Sequence, residues 1–414
     1  MTSRSAPSRI CLILQSTAVG GMETHCVDLA GEYVRRAIDV RVVVPEGDTF
    51  DALARRFTAG GAHVERVTTD ARAGRARQVA GLARLATFLR RLAPEVVHVQ
   101  TGGTTGGLAV IALARAFTRA TVILTEHDVP RPAANWRERG VKRVTDRLLH
   151  GLVAVSRRNA SLRRSRGGAR ETRFGSILNG VPIHDVSPED AARNRAAVRA
   201  EMGVPSDAPL VGSVVRLAEG KGLHDLLRAF AIARNIVPCH LLIVGDGPLR
   251  EEMVTLASEL KVAQQVHFAG QRSDPGRFVD AMDVFVLAVP AGSMSIALLE
   301  AMGRGAPPVI TFCGPEEAVI NEETGLCAPP ADADGLAAVL ARICQDRALR
   351  SRLAAAAAAH VRAHFSVRRV ADDLLELYAS VRTGQVPPRM RADAPPDPRP
   401  GAAPCAITAS PSEP

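Results

Sequence analysis

Apolar and polar positions alternate in blocks along the first half of the chain. The runs ICLILQS, VRVVVP, AHVERV, EVVHVQ, TVILTEH and GLVAVS are short, rich in β-branched residues and bounded by turn formers. Near-continuous apolar runs of this length predict strands buried on both faces of a sheet. Between them lie segments such as Met22, Cys26, Leu29, Ala30 and Tyr33, whose spacing lines apolar side chains along one helical stripe. Strand and helix in regular alternation predict a parallel sheet covered by helices.

The pattern restarts after Asp185. The stretch SPEDAARNRAAVRAEMGVPSDAP is polar, alanine-rich and closed by prolines, and it predicts a connection containing one helix. LVGSVVRL, HLLIVGDG, QVHFAG, DVFVLAV and PPVITF then alternate again with helical patterns. The fold class this predicts is α/β, with two facing Rossmann-like doubly wound parallel-sheet domains. Ligands of such sheets bind beyond the carboxyl ends of the strands, so the cleft between the domains is the expected site. The expected organisation is a first domain over residues 1–185, a connection over 186–205 and a second domain over 206–365. A last helix over 366–383 would be capped by Ser366, with the stripe Val367, Val370, Ala371, Leu374 and Tyr378. Residues 384–414 are proline-rich and aperiodic, and they read as a disordered tail without a catalytic part.

A length of 414 residues agrees with two domains. The 46% hydrophobic and 23% charged fractions are those of a soluble globular protein. Aromatics at 3% argue against a stacking platform for single-stranded nucleic acid, and no nucleic-acid partner is expected. Much of the net charge of +9 lies between Arg131 and Arg173. That run is either a solvated helical face or a surface for anionic lipid or an anionic acceptor. The seven cysteines are scattered without CxxC spacing and read as core residues of a reducing compartment. No apolar run approaches the ~20 residues that cross a bilayer. The segment Ile10–Leu14 is too short for a signal peptide, so a cytoplasmic location is expected.

Several short motifs carry candidate chemistry. Gly20 and Gly21 follow the first strand and open a helix, where free N–H groups can meet a phosphate, or they simply make a turn. Arg216 ends a strand and Lys221 follows in a glycine-flanked loop. Two cations there can clamp a diphosphate, or be ordinary surface charges. His127, at the end of the Thr121–Thr125 strand, can orient a hydroxyl in the cleft or be a satisfied structural histidine. Gly245 and Gly247 lack the rest of a dinucleotide fingerprint. Asp332 and Asp334 precede a helix and are read as its cap, so no metal site is assigned. Asn179-Gly180 in ILNGV and the stretch ETGLC are read as turns joining strands. Glu300 stands inside the otherwise apolar helix of AGSMSIALLEAMGRGAPPV, eight residues after Gly292.

Taken in order, GGMETHCVDLA, TEHD, VAVS, ILNGV, VVRLAEGKG, LLIVGDGP, VHFAG and SIALLEAMGRGAPPVI resemble the GT-B retaining glycosyltransferases of family 4. The similarity covers the chain up to about Val381. It implies a metal-independent enzyme that moves a sugar from a nucleotide-diphosphate sugar to a hydroxyl acceptor with retention, needing no cofactor. Arg216 and Lys221 would neutralise the leaving diphosphate, and Glu300 would take the ribose hydroxyls. The backbone of Met294 and Ser295 would meet phosphate or sugar. Gly20 and Gly21 would line the donor phosphate, and His127 would lie near the transferred sugar. Gly270, Gln271 and Arg272 would touch the nucleobase, while Gly314 and Glu317 would support the acidic motif. The last helix would pack back on the first domain.

One departure stands out. Most such enzymes carry a second glutamate at the position of Gly292, reaching toward the sugar's hydroxyls. A lost hydrogen bond there is worth about 1–3 kcal/mol. Two alternatives therefore stay open: a nucleotide-sugar 2-epimerase on the same fold, and a protein that binds a nucleotide sugar without turnover. The basic run of the first domain would bring a peripheral contact with an anionic membrane surface at the inner face.

Overall fold

The computed structural model describes residues 6–70, 74–102, 107–130, 135–165, 174–289, 294–311 and 317–383. The first domain is built on strands β1 (Arg9–Gln15), β2 (Asp39–Val44), β3 (His63–Arg66), β4 (Val96–Thr101), β5 (Thr121–Glu126), β6 (Gly151–Ala154) and β7 (Phe174–Ser176). All pair in parallel, in the order β3-β2-β1-β4-β5-β6-β7. Helices α1 (Gly21–Arg35) and α2 (Asp51–Ala59) share an apolar core on one face of this sheet. Helices α3 (Arg75–Leu92), α4 (Leu108–Phe117) and α6 (Arg157–Ser165) contribute to the core on the other face, with α5 (Trp136–Leu148) beside α4. Burial on both faces explains why the strands read as apolar runs rather than alternating ones.

The second domain begins with helix α7 (Pro188–Met202) and carries the sheet order β10-β9-β8-β11-β12-β13. Its strands are β8 (Leu210–Val214), β9 (His240–Val244), β10 (Val266–Gly270), β11 (Val284–Leu287), β12 (Pro308–Thr311) and β13 (Leu326–Ala328). They are interleaved with α8 (Leu223–Arg234), α9 (Arg250–Glu259), α10 (Pro275–Asp280) and α11 (Ile296–Gly303). After β13 come α12 (Ala333–Gln345), α13 (Arg347–His364) and α14 (Val367–Arg382). The sequence pattern leaves out β7 and β13, and the ETGLC stretch proves to lead into β13 rather than being turn alone. Both are three-residue edge strands, too short for any periodicity to show.

The connecting helix α7 is fastened to the second domain. Arg199, almost fully buried, reaches the Asp283 carboxylate at 2.7 Å and the carbonyls of Pro205 and Ala208. Val198 joins the apolar core formed with Phe278 and Phe285. Asp332 caps α12 by accepting from the Gly335 N–H, as the sequence suggests.

The chain crosses between domains twice at one place. ILNGV is extended rather than a tight turn: the Val181 N–H donates to the Phe365 carbonyl at 2.8 Å, and the Val367 N–H donates to the Val181 carbonyl at 2.9 Å. Gly180 is needed here because a Cβ would lie 2.8 Å from the Ser366 backbone. Ser366 then caps α14 by accepting from the Arg369 N–H. The buried stripe of α14 packs on α1, where the Tyr378 hydroxyl meets Tyr33 at 3.1 Å and His98 Nδ1 at 2.6 Å. The last helix is thus part of the first domain's core.

Candidate active site between the two sheets

Each sheet has one place where the strand order reverses direction. In the first domain it lies between β1 and β4, and in the second between β8 and β11. Connections leave these neighbouring strands on opposite faces, which opens a crevice at their carboxyl ends. Both crevices carry residues singled out in the sequence, and the domains touch between them. A Cβ on Gly21 would lie 3.5 Å from Ile296, and the Asn179 side-chain amide donates to the Met294 carbonyl at 3.3 Å.

On the second domain's side, β8 delivers Arg216 and Lys221 on one exposed loop. Neither side chain has an ion-pair partner among the described residues, and the loop instead is held through its backbone. The Val215 N–H donates to the Val244 carbonyl at 2.9 Å, and the Leu217 N–H to the Asp246 carbonyl at 3.0 Å. Gly245, at φ +137°, makes this possible: a Cβ there would be 2.0 Å from the Val215 carbonyl oxygen. The VGDG glycines therefore brace the loop of the two cations. That is a structural role, distinct from dinucleotide binding.

On the adjacent strand, β11 leads through Met294 and Ser295 into α11. Ser295 caps the helix by accepting from the Leu298 N–H at 3.3 Å. Ile296, Leu298, Leu299, Ala301 and Met302 are buried, which answers why an acid can sit in so apolar a helix: Glu300 occupies the side turned to the other domain. Burial, and after it the negative charge of Asp28 on α1, push its carboxyl up to about 7, against the opposing pull of Arg304 and Arg56. Asp28 is itself raised to about 6 by burial, against the attraction of Arg56 and Arg35.

On the first domain's side, Gly20 precedes α1, and its N–H donates to the Glu23 carboxylate at 2.7 Å. One of the backbone donors expected to face a phosphate is therefore already taken by an acid of the same helix. Burial raises the Glu23 carboxyl, with hydrogen bonds to Ser16 and the backbone opposing it. His127 is buried at the end of β5. Its backbone N–H donates to the Thr101 carbonyl at 2.9 Å, and its Nε2 lies 2.8 Å from Oε1 of Gln100. His25 of α1 stands with its ring centroid 6.0 Å from that of His127, and its Nδ1–H donates to the Gly180 carbonyl at the crossing point. Burial drives His127 well below the usual imidazole range, with His25 and His98 adding to the effect.

Some expected residues are not brought to this hollow. Arg272 is engaged on the α7 flank, where it pairs with Glu201 at 2.9 Å, donates to the Ala269 carbonyl and stacks over Phe278 at 4.7 Å. Its side chain is thus committed away from the cleft, leaving the exposed Gln271 and the Gly270 backbone at the end of β10. The Gly270 carbonyl accepts from the Gly245 N–H, so this edge braces the same loop. Glu317 Oε1 accepts from the Arg157 N–H of the first domain at 2.6 Å. Gly292 and Gly314 lie outside the described residues. Among the described residues no cluster of His, Cys, Asp and Glu suited to a metal ion occurs. Asp28, Arg56, His25 and Gln100 were not singled out from sequence. Gln100 had a visible signal, being a polar side chain that ends an apolar strand in EVVHVQ.

Residues 19–185 match the family model described as glycosyltransferase family 4, and residues 194–360 match glycosyl transferases group 1. The chain belongs to this class of GT-B glycosyltransferases. It is similar to the lipopolysaccharide core biosynthesis glycosyltransferase LpsE of Rhizobium meliloti, at 36% identity over 58% of this chain and 65% of that protein. The chain therefore spans less than two thirds of that relative's length. The D-inositol 3-phosphate glycosyltransferase of Rhodococcus jostii is 28% identical over 90% of this chain and 89% of its own. Among solved structures, Anabaena HepE in complex with UDP-glucose superposes with a TM-score of 0.75 at 23% identity, covering 90% of this chain and 99% of that one. At that identity the likeness speaks for the fold.

Proposed function

We propose that the protein transfers a sugar from a nucleotide-diphosphate sugar to a hydroxyl acceptor, with retention of configuration and without need of a metal. The observation that carries this is the pairing of Arg216 and Lys221, two cations lacking ion-pair partners among the described residues, with Glu300 on the adjoining strand-helix unit at the same switch point. The cations would stabilise charge developing on the departing diphosphate, which is electrostatic catalysis by groups already in place. Glu300, once ionised, would accept both ribose hydroxyls, and the Met294–Ser295 backbone would lie against phosphate or sugar. The acceptor hydroxyl would enter on the face that the diphosphate leaves, beside His127, with water excluded by closure of the domains. The bound UDP-glucose of the Anabaena neighbour supports a nucleotide-sugar donor.

The acceptor class is a polysaccharide, lipid-linked or small hydroxyl compound, and the lipopolysaccharide relative favours the cell envelope. We place the protein in the cytoplasm, peripheral to an anionic membrane. Among the described residues no helix is long and apolar enough to cross a bilayer. The outer face of α3 and α5 supports the peripheral contact. Arg75, Arg77, Arg90 and Arg91 stand exposed on α3, which holds no acid, while Arg84 of the same helix is paired with Glu46 at 2.7 Å. Trp136, the chain's single tryptophan, is 70% exposed at the start of α5, with Arg137 stacked on it at 5.4 Å. Exposed indole beside clustered arginine suits the interface of an anionic bilayer.

The test is a panel of UDP-, GDP- and ADP-sugars, following nucleotide release with and without acceptor, in the presence of EDTA. Acceptor-dependent release and a retained anomeric configuration by proton NMR are expected. An isomerised nucleotide sugar would instead mean epimerisation. Gly292 favours one second reading, a protein that binds the donor without turnover. Binding without product, followed by turnover in Gly292→Glu, would establish it.

A further inference from the structure

The buried histidines at the carboxyl end of the first sheet are held differently from one another. His98 contacts hydroxyls on both sides, with Nδ1 to Tyr378 and Nε2 to Thr125 at 2.7 Å. His25 gives its Nδ1 hydrogen to a backbone carbonyl. His127 alone faces a side-chain amide. As placed, the Gln100 amide turns its oxygen, an acceptor, to Nε2, which assigns the ring hydrogen to that nitrogen. The other ring nitrogen, Nδ1, has no hydrogen-bond partner among the described residues.

We infer that Gln100 is a positioning residue for the transfer reaction: its side-chain carbonyl holds the His127 hydrogen on Nε2 and leaves Nδ1 as the ring's acceptor. This rests on the placement of His127 beside the transferred sugar. Gln100 is well situated for the task. It is 1% exposed, registers with Leu14 of β1 on one side and Thr125 of β5 on the other, and so stands at the switch point itself. The next residue, Thr101, takes the His127 backbone N–H. Consecutive residues of β4 thus fix both the main chain and the ring of His127.

The choice of an amide over a carboxylate has a chemical consequence. A carboxylate in contact with Nε2–H would favour the imidazolium, whereas a neutral amide does not. A sugar losing its diphosphate gathers positive charge, and an imidazolium beside it would oppose that charge. A neutral ring can accept a hydrogen bond there at no such cost. The neighbours agree with neutrality: burial lowers His25 to about 4 and His98 to about 3. The acids at this end of the sheet are Glu23 of α1, Asp128 and Glu126. Glu23 is bonded to Gly20, and Glu126 is paired with the buried Arg163 at 3.1 Å.

The experiment uses the full chain with histidine labelled in its ring nitrogens, and the donor and acceptor found active in the panel. Nitrogen-15 NMR of the wild type is expected to show His127 as the Nε2–H tautomer from pH 5.5 to 8. Gln100→Leu is expected to lower kcat about tenfold, the effect usual for a residue orienting a site group, with the donor KM held within about twofold. Gln100→Glu should show an imidazolium at neutral pH. Its rate relative to wild type should climb as pH rises, a ratio in which other titrations cancel. An Nδ1–H tautomer in the wild type overturns the inference without any variant. So do unchanged rates and pH profiles in both Gln100 variants when His127→Ala is impaired. Full activity in His127→Ala removes the underlying role of the histidine, and is recognisable because the NMR result stands apart from it.

Discussion

The carboxyls of Glu300 on α11 and Asp28 on α1 repel each other across the boundary between the two domains. Both are raised, to about 7 and about 6, chiefly by burial, and Arg56 offsets part of the effect on each. A carboxyl raised in the folded state costs nothing while protonated and destabilises once it must ionise. Stability from this pair is therefore present at low pH and declines as pH rises from about 4 to about 7. Thermal unfolding should show Tm falling over that interval in the wild type and falling less in Asp28→Asn/Glu300→Gln. Equal pH slopes would mean that the pair is not coupled to folding.

Donor binding should have the opposite sign. The ionised form of Glu300 accepts two hydroxyl hydrogens, so nucleotide affinity should rise as pH increases through about 7. Asp28→Asn removes a repulsion and should move that rise to lower pH, while Glu300→Gln should abolish it. Calorimetric titration with nucleoside diphosphate in buffers of different ionisation heat would also detect the released proton. Affinity independent of pH in the wild type speaks against Glu300 as the ribose ligand.

Arg216→Ala and Lys221→Ala should each lower the rate of transfer by about a hundredfold or more, since each removes a cation from the developing charge of the leaving group. Circular dichroism should be unchanged, because neither side chain has an ion-pair partner among the described residues. Near-normal rates in either variant would remove it from the diphosphate clamp.

Gly245→Ala should act on the same loop indirectly. An added Cβ would strike the Val215 carbonyl in a left-handed backbone region, costing about 1–3 kcal/mol. Gly203 has φ +68° but open space around it, so Gly203→Ala serves as the control that carries only the backbone strain. Denaturant unfolding should separate the two, and only Gly245→Ala should depress kcat.

Arg163 tests the scaffold beneath His127. It is buried between Glu126 of β5 and Asp146 of α5, at 3.1 and 2.6 Å. Arg163→Ala removes the cation bonded to both acids, leaving Lys142 as a remaining positive charge near Glu126, and should cost about 3–5 kcal/mol. Denaturant midpoints measure the loss, and a change below 1 kcal/mol, taking roughly that as the floor of a buried pair, would contradict it.

Much of this architecture was legible because each sheet is buried on both faces, so its central strands stand out as apolar runs. The Arg216–Lys221 loop and the α11 helix were legible because charge in an apolar, glycine-bounded setting needs a reason. Other features depend on contacts between distant segments and leave no local trace. Gly180 looks like a turn residue until Ser366 and Val370 are seen pressed against it. Arg272 looks free for a nucleobase until Glu201 of α7 is found beside it. The meeting of His25, Gln100 and His127 joins a helix to two strand ends, and only the polar ending of β4 hinted at it.

A structure of the protein with a nucleoside diphosphate bound is the most direct measurement. The pyrophosphate should lie between the Arg216 guanidinium and the Lys221 ammonium, with both ribose hydroxyls on the Glu300 carboxylate. A nucleotide seated elsewhere, or those three side chains turned to separate surfaces with it bound, would contradict the assignment of the site.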